Sequence, residues 1–502
     1  MAVVYDDYSR ARIGWFFGLT GWQLSILAVG TVPALWCVQA RAWSSALVFA
    51  VSWGALWLVT VTPVRGRSAT GWLIASVAFT LGGVLGWTRF RAHVTRGRSS
   101  EQDGVDLPGV LHGVQIHDGP PHGPSLARVA VIQDHAVRTW AVTAAVVHPG
   151  IGMAEGTERA RQGRGLADLL DLVERTGLAD ELVFVVRTVP EDGAERDQWL
   201  SRHRSPHGPA AARVINQDLQ AALSGASVRT EAFVTVVVPE TRIAKQAKEF
   251  GGGLDGRARV LYGLMGEVQA QLRGGMGMTS VTWLTSPQLA LACRTGFAPG
   301  DRAGVIDAIA AQQQDPGVAA DVPWAMAGPS GADPVVRHYS HDAWNSVSAT
   351  IKLPVRGAAM GALAPVLTPT EPGERRSYMV AYPIVPAANA DRQSATSEWA
   401  ADLGQELRVR AKVKQRSRSR QESEKVRGLD RKLARGNAMT RPYAVVTVTV
   451  PKTVRVAEFG RRLDASVRRA GFASLRLDLA QDVAFAASTV PLGISLTRKG
   501  DA

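Results

Sequence analysis

The sequence predicts a membrane-anchored α/β (α+β) protein, with an N-terminal transmembrane helical hairpin followed by a cytosolic mixed α/β domain with long charged helices. Three observations carry this expectation. Between Leu19 and Thr88 the only charged side chains are Arg41, Arg65 and Arg67. Beyond Ala127, runs of β-branched residues alternate with helical patterns, as in α/β or α+β layers. Between Arg408 and Arg435, twelve basic residues stand against Glu422, Glu424 and Asp430, a net +9 of the chain's +13.

The hairpin is expected from two uncharged runs, Leu19–Ala40 and Ala42–Val64, separated by Arg41. About 20 apolar residues cross a hydrocarbon layer of ~30 Å. A signal peptide has a shorter apolar core and a small-residue cleavage site. Trp15, Trp22, Trp43 and Trp57 lie near the run ends, where amphipathic rings favour the headgroup level. Arg10 and Arg12 precede the first run, and Arg65 and Arg67 follow the second. The positive-inside bias then puts both termini in the cytosol and makes the chain a multi-pass protein of the cell membrane. A third uncharged run, Ser68–Thr88, contains Gly71, Gly82, Gly83 and Gly86 and reads as membrane-associated. The expected organisation is a hairpin at 1–66, the third apolar segment with a basic linker at 67–100, and an α/β domain at 101–390. Long basic helices at 391–437 and a strand–helix–strand unit at 438–502 complete it.

Within the α/β part, "LARVAVIQD" and "TWAVTAAVVHPG" read as strands around a turn at Asp134–His135. "GTERARQGRGLADLLDLVERTG" is helical, with Leu166, Leu169, Leu170 and Val173 on one face and Gly177 as its stop. "ELVFVVRTVP", "EAFVTVVVPE" and "TSVTWLT" are strands, and "DGRARVLYGLMGEVQAQLRGG" and "SPQLALACRTG" are helices. After a Pro/Gly/Ala-rich stretch, "VVRHYSHDAWNSVSATIKLP" and "SYMVAYPIVP" read as strands. The last unit runs from the strand "YAVVTVTVP" through the helix "VAEFGRRLDASVRRAG" to the strand "FASLRLDLA".

No residue pattern announces catalysis. A phosphate-binding loop needs Gly-x4-Gly-Lys-Ser/Thr, and "GGGLDGR", "AGPSGADP" and "RGGMGMTS" all lack the Lys-Ser/Thr. There is no Gly-x-Ser-x-Gly element to make a hydrolase of Ser340, His341 and Asp342. His112, His117 and His122 sit among Gly and Pro, and His338 and His341 are three apart in a predicted strand, on opposite faces. They read as solvated histidines. The two cysteines, Cys37 and Cys293, form no metal-binding or disulfide pattern. No catalytic, cofactor-binding or metal-ligating residue is expected, and no cofactor.

Arg408, Arg410, Lys412, Lys414, Arg416, Arg418 and Arg420 are candidates for contact with a partner or with lipid. Three readings stay open for them: a solvated helical face, anionic lipid or an acidic partner, and nucleic acid. The stretch has no aromatic residue on which bases could stack, which counts against direct nucleic-acid binding.

Two resemblances add to this reading. Asp7, Tyr8, Ser9, Arg10, then Phe17, Gly18, Leu19, Thr20, then Gln23 and Leu24 resemble the start of the PrgI family of small inner-membrane proteins of type IV secretion. Trp22 departs from that pattern, where the family often has Arg. The strand "VTVTVP", the helix ending at Gly471 and the stretch Thr489, Val490, Pro491, Leu492 and Gly493 resemble the N-terminal domain of conjugation ATPases. A group of actinobacterial proteins has this combined build. The resemblances imply a non-catalytic inner-membrane component of a type IV secretion-like conjugation machine that docks a separately encoded cytosolic ATPase. Other inner-membrane secretion components and membrane lipids would be its further partners, and it would work as an oligomer in a larger complex. The alternative is a type VII secretion component resembling EccE. A membrane-anchored enzyme is the third reading, and it lacks a recognisable site.

Overall fold

The computed structural model describes residues 4–5, 21–97, 104–390 and 428–496, with short breaks at 62, 65–66, 151–153, 192, 204, 206, 227, 355–356, 372, 388 and 429–430. The chain divides into two units, Tyr8–Thr88 and Met1–Asp7 with Arg89–Ala502.

Among the described residues the smaller unit holds three helices, α1 (Gly21–Gln39), α2 (Trp43–Val61) and α3 (Ala69–Val84). Arg41 turns α1 into α2 at φ 55°, and the Trp53 indole N–H donates to the Leu27 carbonyl at 3.0 Å. Among the described residues no helix is long and apolar enough to cross a membrane. This corrects the expected transmembrane hairpin and the multi-pass cell-membrane location. The expectation came from counting uncharged residues, and an uncharged run is not an equally long apolar helix. α1 and α2 have 19 residues each and α3 has 16. At 1.5 Å per residue they rise about 29 Å and about 24 Å, under the ~30 Å of a hydrocarbon layer. Pro33 and the hydroxyls of Thr31, Ser52 and Thr80 interrupt their apolar character, each hydroxyl donating back to a carbonyl of its own helix.

The larger unit is built on one antiparallel sheet of 14 strands. Its strands are β1 (Phe90–Arg91), β2 (Val114–His122), β3 (Ala127–Asp134), β4 (Thr139–Val147), β5 (Glu181–Pro190), β6 (Val228–Pro239) and β7 (Ser280–Trp283). They continue with β8 (Gly331–Val335), β9 (His338–His341), β10 (Trp344–Lys352), β11 (Arg375–Val385), β12 (Met439–Thr440), β13 (Tyr443–Pro451) and β14 (Ala473–Arg476). The spatial order is β1-β8-β9-β10-β13-β11-β5-β6-β4-β3-β2, with β7 on β4, β12 on β11 and β14 on β10. The helices are α4 (Gly156–Thr176), α5 (Ala194–His203), α6 (Ala210–Ala226), α7 (Glu240–Glu249), α8 (Gly253–Gly274), α9 (Ser286–Phe297), α10 (Arg302–Gln314), α11 (Trp324–Ala327), α12 (Ala364–Leu367), α13 (Val456–Arg469) and α14 (Gln481–Thr489).

This order is an internal repetition. β2 to α9 form one repeat and β8 to α14 the other. Each has three hairpin strands, a helix, a central strand, an insertion, a further strand, a helical layer, a short strand and a last helix. The central strands β5 and β11 pair antiparallel, from Glu181 opposite Pro383 to Thr188 opposite Arg376. Equivalent details recur. Thr139 stands opposite Pro239 and Trp344 opposite Pro451. The Glu240 N–H donates to the Arg138 carbonyl and the Lys452 N–H to the Ala343 carbonyl, both at 2.9 Å.

Successive residues of a strand point to opposite faces, and the core follows that rule. On one face a single apolar cluster spans both repeats, joining Val183, Val185 and Met379 to Cys293 and Phe297 of α9 and to Phe485 of α14. The opposite face has one cluster per repeat. Leu182, Val234 and Val236 pack under α4 and α8, and Val347, Val446 and Val448 pack under α13. Central strands covered on both sides are apolar at nearly every position, hence "FVTVVVP" and "AVVTVTVP".

Candidate functional site

Where the repeats meet, charged groups lie inside the protein. Arg187 of β5 and Arg375 and Arg376 of β11 are almost completely buried. Adjacent on one strand, Arg375 and Arg376 serve opposite faces. Arg376 pairs with the buried Glu374 at 2.7 Å and donates to the Val366 carbonyl and the Ser466 hydroxyl. Arg187 donates to Glu231 through Nη2 at 2.5 Å and through Nε at 3.0 Å. Its Nη1 donates to the carbonyls of Ala292 in α9 and Thr489 in α14. Arg375 donates to the carbonyls of Thr295 and Gly296 and to the Thr449 hydroxyl. Two guanidinium groups thus take up the last carbonyls of two helices, the end where a cation is favoured.

The electrostatics follow from burial. Burial and then the neighbouring Arg187 pull the Arg375 guanidinium down to about 9. Burial pushes the Glu231 carboxyl up, but Arg187 and Arg229 outweigh it and leave it below the usual range. Burial and then Arg375 hold the His341 imidazole well below its ordinary value. Its Nε2 shares a hydrogen bond with the Ser346 hydroxyl at 2.8 Å, and Ser346 in turn meets Thr449 at 2.7 Å. Burial lifts the Cys293 thiol to about 12, which removes it as a nucleophile.

The histidines are thereby placed. His341 is fully buried, which corrects the expectation that it is solvated, while its strand neighbour His338 is half-buried. His117 stacks on Trp140 with centroids 5.8 Å apart and bonds Gln133 at 2.9 Å, and His122 lies against Tyr262. Among the described residues no group of His, Cys, Asp or Glu is arranged to hold a metal ion. A cleft of about 310 Å³ opens beside the β3–β4 turn, lined by Gln133, Asp134, His135, Arg138, Thr139 and Glu240. Both of its acids are engaged: Glu240 pairs with Arg257 at 2.7 Å and accepts the Trp140 indole N–H, and Asp134 accepts the Ala136 and Val137 N–H groups.

Of the motif residues, Gly18, Leu19 and Thr20 lie outside the described residues, as do Arg408, Arg410, Lys412, Lys414, Arg416, Arg418 and Arg420. Gln23 falls in α1. Pro491, Leu492 and Gly493 follow α14 and lie against the first repeat. The Pro491 carbonyl accepts from the Thr143 hydroxyl at 2.9 Å, and Leu492 is buried. Gly493 has φ 72°, and a Cβ there would stand 2.9 Å from methyls of Thr235 and Val237.

Two surfaces went unnoticed in the sequence. α5 and α6 leave Trp199 (59%), Ile215 (64%) and Leu219 (53%) exposed. The spacing of Ile215 and Leu219 at i and i+4 was the available signal. The outer side of α13 exposes Arg461, Arg468 and Arg469, with Arg455 just before its start. No protein-family model matches the chain, and no curated protein matches it.

Proposed function

We propose that the chain is a non-catalytic docking component of a type IV secretion-like conjugation machine that receives a separately encoded ATPase. The observation that carries this reading is the apolar surface of α5 and α6. Exposed large apolar side chains gathered on adjoining helices mark a surface that another protein covers. The polar chemistry of the large unit supports it from the other side. Arg187, Arg375 and Glu231 are engaged in bonds that hold the two repeats together. The resemblance of Asp7–Leu24 and Thr489–Gly493 to conjugation proteins names the ATPase as the partner.

The test is co-purification of the full chain with a P-loop ATPase of a conjugation machine from the same organism. Ile215→Asp with Leu219→Asp should abolish capture while the thermal melting of the chain stays the same. Capture at full strength by that variant would sink the reading.

A further inference from the structure

The two repeats differ at one position of their common plan. Thr139 begins β4, opposite Asp134 of β3 and Pro239 of β6. Trp344 begins β10, opposite His341 of β9 and Pro451 of β13. In both repeats the carbonyl just before this position accepts the N–H that follows the proline, Arg138 from Glu240 and Ala343 from Lys452. The two positions are therefore equivalent, and a threonine in the first repeat answers to an indole in the second. Where the smaller side chain stands, Thr139 and Asp134 line the cleft of about 310 Å³.

Most of that lining is already bonded. Glu240 is held by Arg257 and Trp140, and Asp134 by two amides of the β3–β4 turn. His135 meets Gln115 at 3.0 Å, and Gln133 meets His117 at 2.9 Å. Two groups remain. Thr139 is only 5% exposed, yet its hydroxyl has no hydrogen-bond partner among the described residues. A polar group so enclosed is normally bonded, and the cleft is where its partner can enter. Arg138 is exposed and makes no ion pair among the described residues, and its backbone is held at φ 53°, which L side chains rarely adopt.

Both free groups donate, and one carries a full positive charge. Glu240 opens α7, whose N-terminal end favours an anion. A guanidinium group takes a carboxylate through paired N–H donors. The carboxylates of Asp134 and Glu240 in the same lining disfavour a second negative charge on the ligand. We propose that this cleft binds a small monocarboxylate, its carboxylate held by Arg138 and the Thr139 hydroxyl. Its volume is at the low end for ligand pockets, which suits a small molecule. The inference does not rest on the docking reading above.

The probe is N-acetylglycine, titrated into the full chain and followed by saturation-transfer NMR. Arg138→Gly should weaken binding at least about tenfold, since a charge-assisted bond is lost. The same change frees the backbone at φ 53°, so the melting temperature should hold or rise. Thr139→Val should weaken binding about three- to tenfold. Thr139→Trp, which installs the residue of the second repeat, should close the cleft and abolish binding. If that variant melts early, Arg138→Gly and Thr139→Val decide the matter. Arg259→Ala, at an exposed position on α8, should change binding less than about twofold. Inorganic phosphate should compete at least about tenfold less well than acetate, because its second charge meets the two acids. Absence of binding by the unaltered chain would overturn the proposal. So would binding undiminished by Arg138→Gly and Thr139→Val, or an equal loss with Arg259→Ala. Competition by phosphate as strong as by acetate would overturn the assignment to monocarboxylates.

Discussion

Glu231→Gln should be among the most damaging single changes in the large unit. Glu231 accepts from Arg187 at 2.5 and 3.0 Å and from Arg229 at 2.7 Å, and Arg187 is almost completely buried. Opposite charges about 4 Å apart attract by about 4 kcal/mol at an effective dielectric constant of 20. Removing one member of a buried pair typically costs about 3–5 kcal/mol, because the other charge stays buried without its counter-ion. Glu231 retains some solvent contact, so a loss of about 3 kcal/mol is expected. The amide would also turn a donor toward two guanidinium groups. Urea unfolding at neutral pH should show the midpoint falling with an unchanged slope. The folded carboxyl lies below its ordinary value of 4.5, so its stabilisation is full above that value and disappears as pH falls through the lower folded one. The gap between wild type and variant should therefore close in acid. A loss below about 1 kcal/mol at neutral pH would show that the helix-end carbonyls alone satisfy Arg187, and would refute the argument.

Gly296→Ala places a methyl 3.0 Å from Arg187 Nη1 and 3.3 Å from the Thr489 carbonyl, both held by the joint, and should cost about 1–3 kcal/mol in the same assay. His341 is kept neutral in the fold, so its contribution is full above its ordinary value of 6.5 and declines as pH drops from there toward the lower folded value. Stability should fall by up to about 1.4 kcal/mol per pH unit in that window, and His341→Leu should flatten the slope. Cys293 should resist iodoacetamide in the native protein and react only on unfolding, as peptide mass spectrometry would report; native alkylation would contradict its burial and raised thiol.

Much of the local structure was legible without coordinates. Apolar β-branched runs became β5, β6 and β13, and the amphipathic stretch ending at Gly177 became α4, with that glycine at φ 64° as its cap. "VVRHYSHDAWNSVSATIKLP" was read as one strand and is two, because Asp342 turns the chain at φ 43°. The hairpin expectation failed because absence of charge was taken for helix length.

What the sequence determined by itself is the type and approximate place of each regular element, since period and turn residues act over a few neighbours. The tertiary structure decided the antiparallel strand order, the repetition of one plan in two halves, and the burial of Arg187, Arg375 and His341. None of these has a local signal. The two repeats have diverged in their insertions, so α4 answers to α12 with little likeness in length. An arginine reads as surface until a sheet brings it beneath helix ends whose carbonyls can hold its charge, and that meeting joins residues as far apart as Arg187 and Thr489.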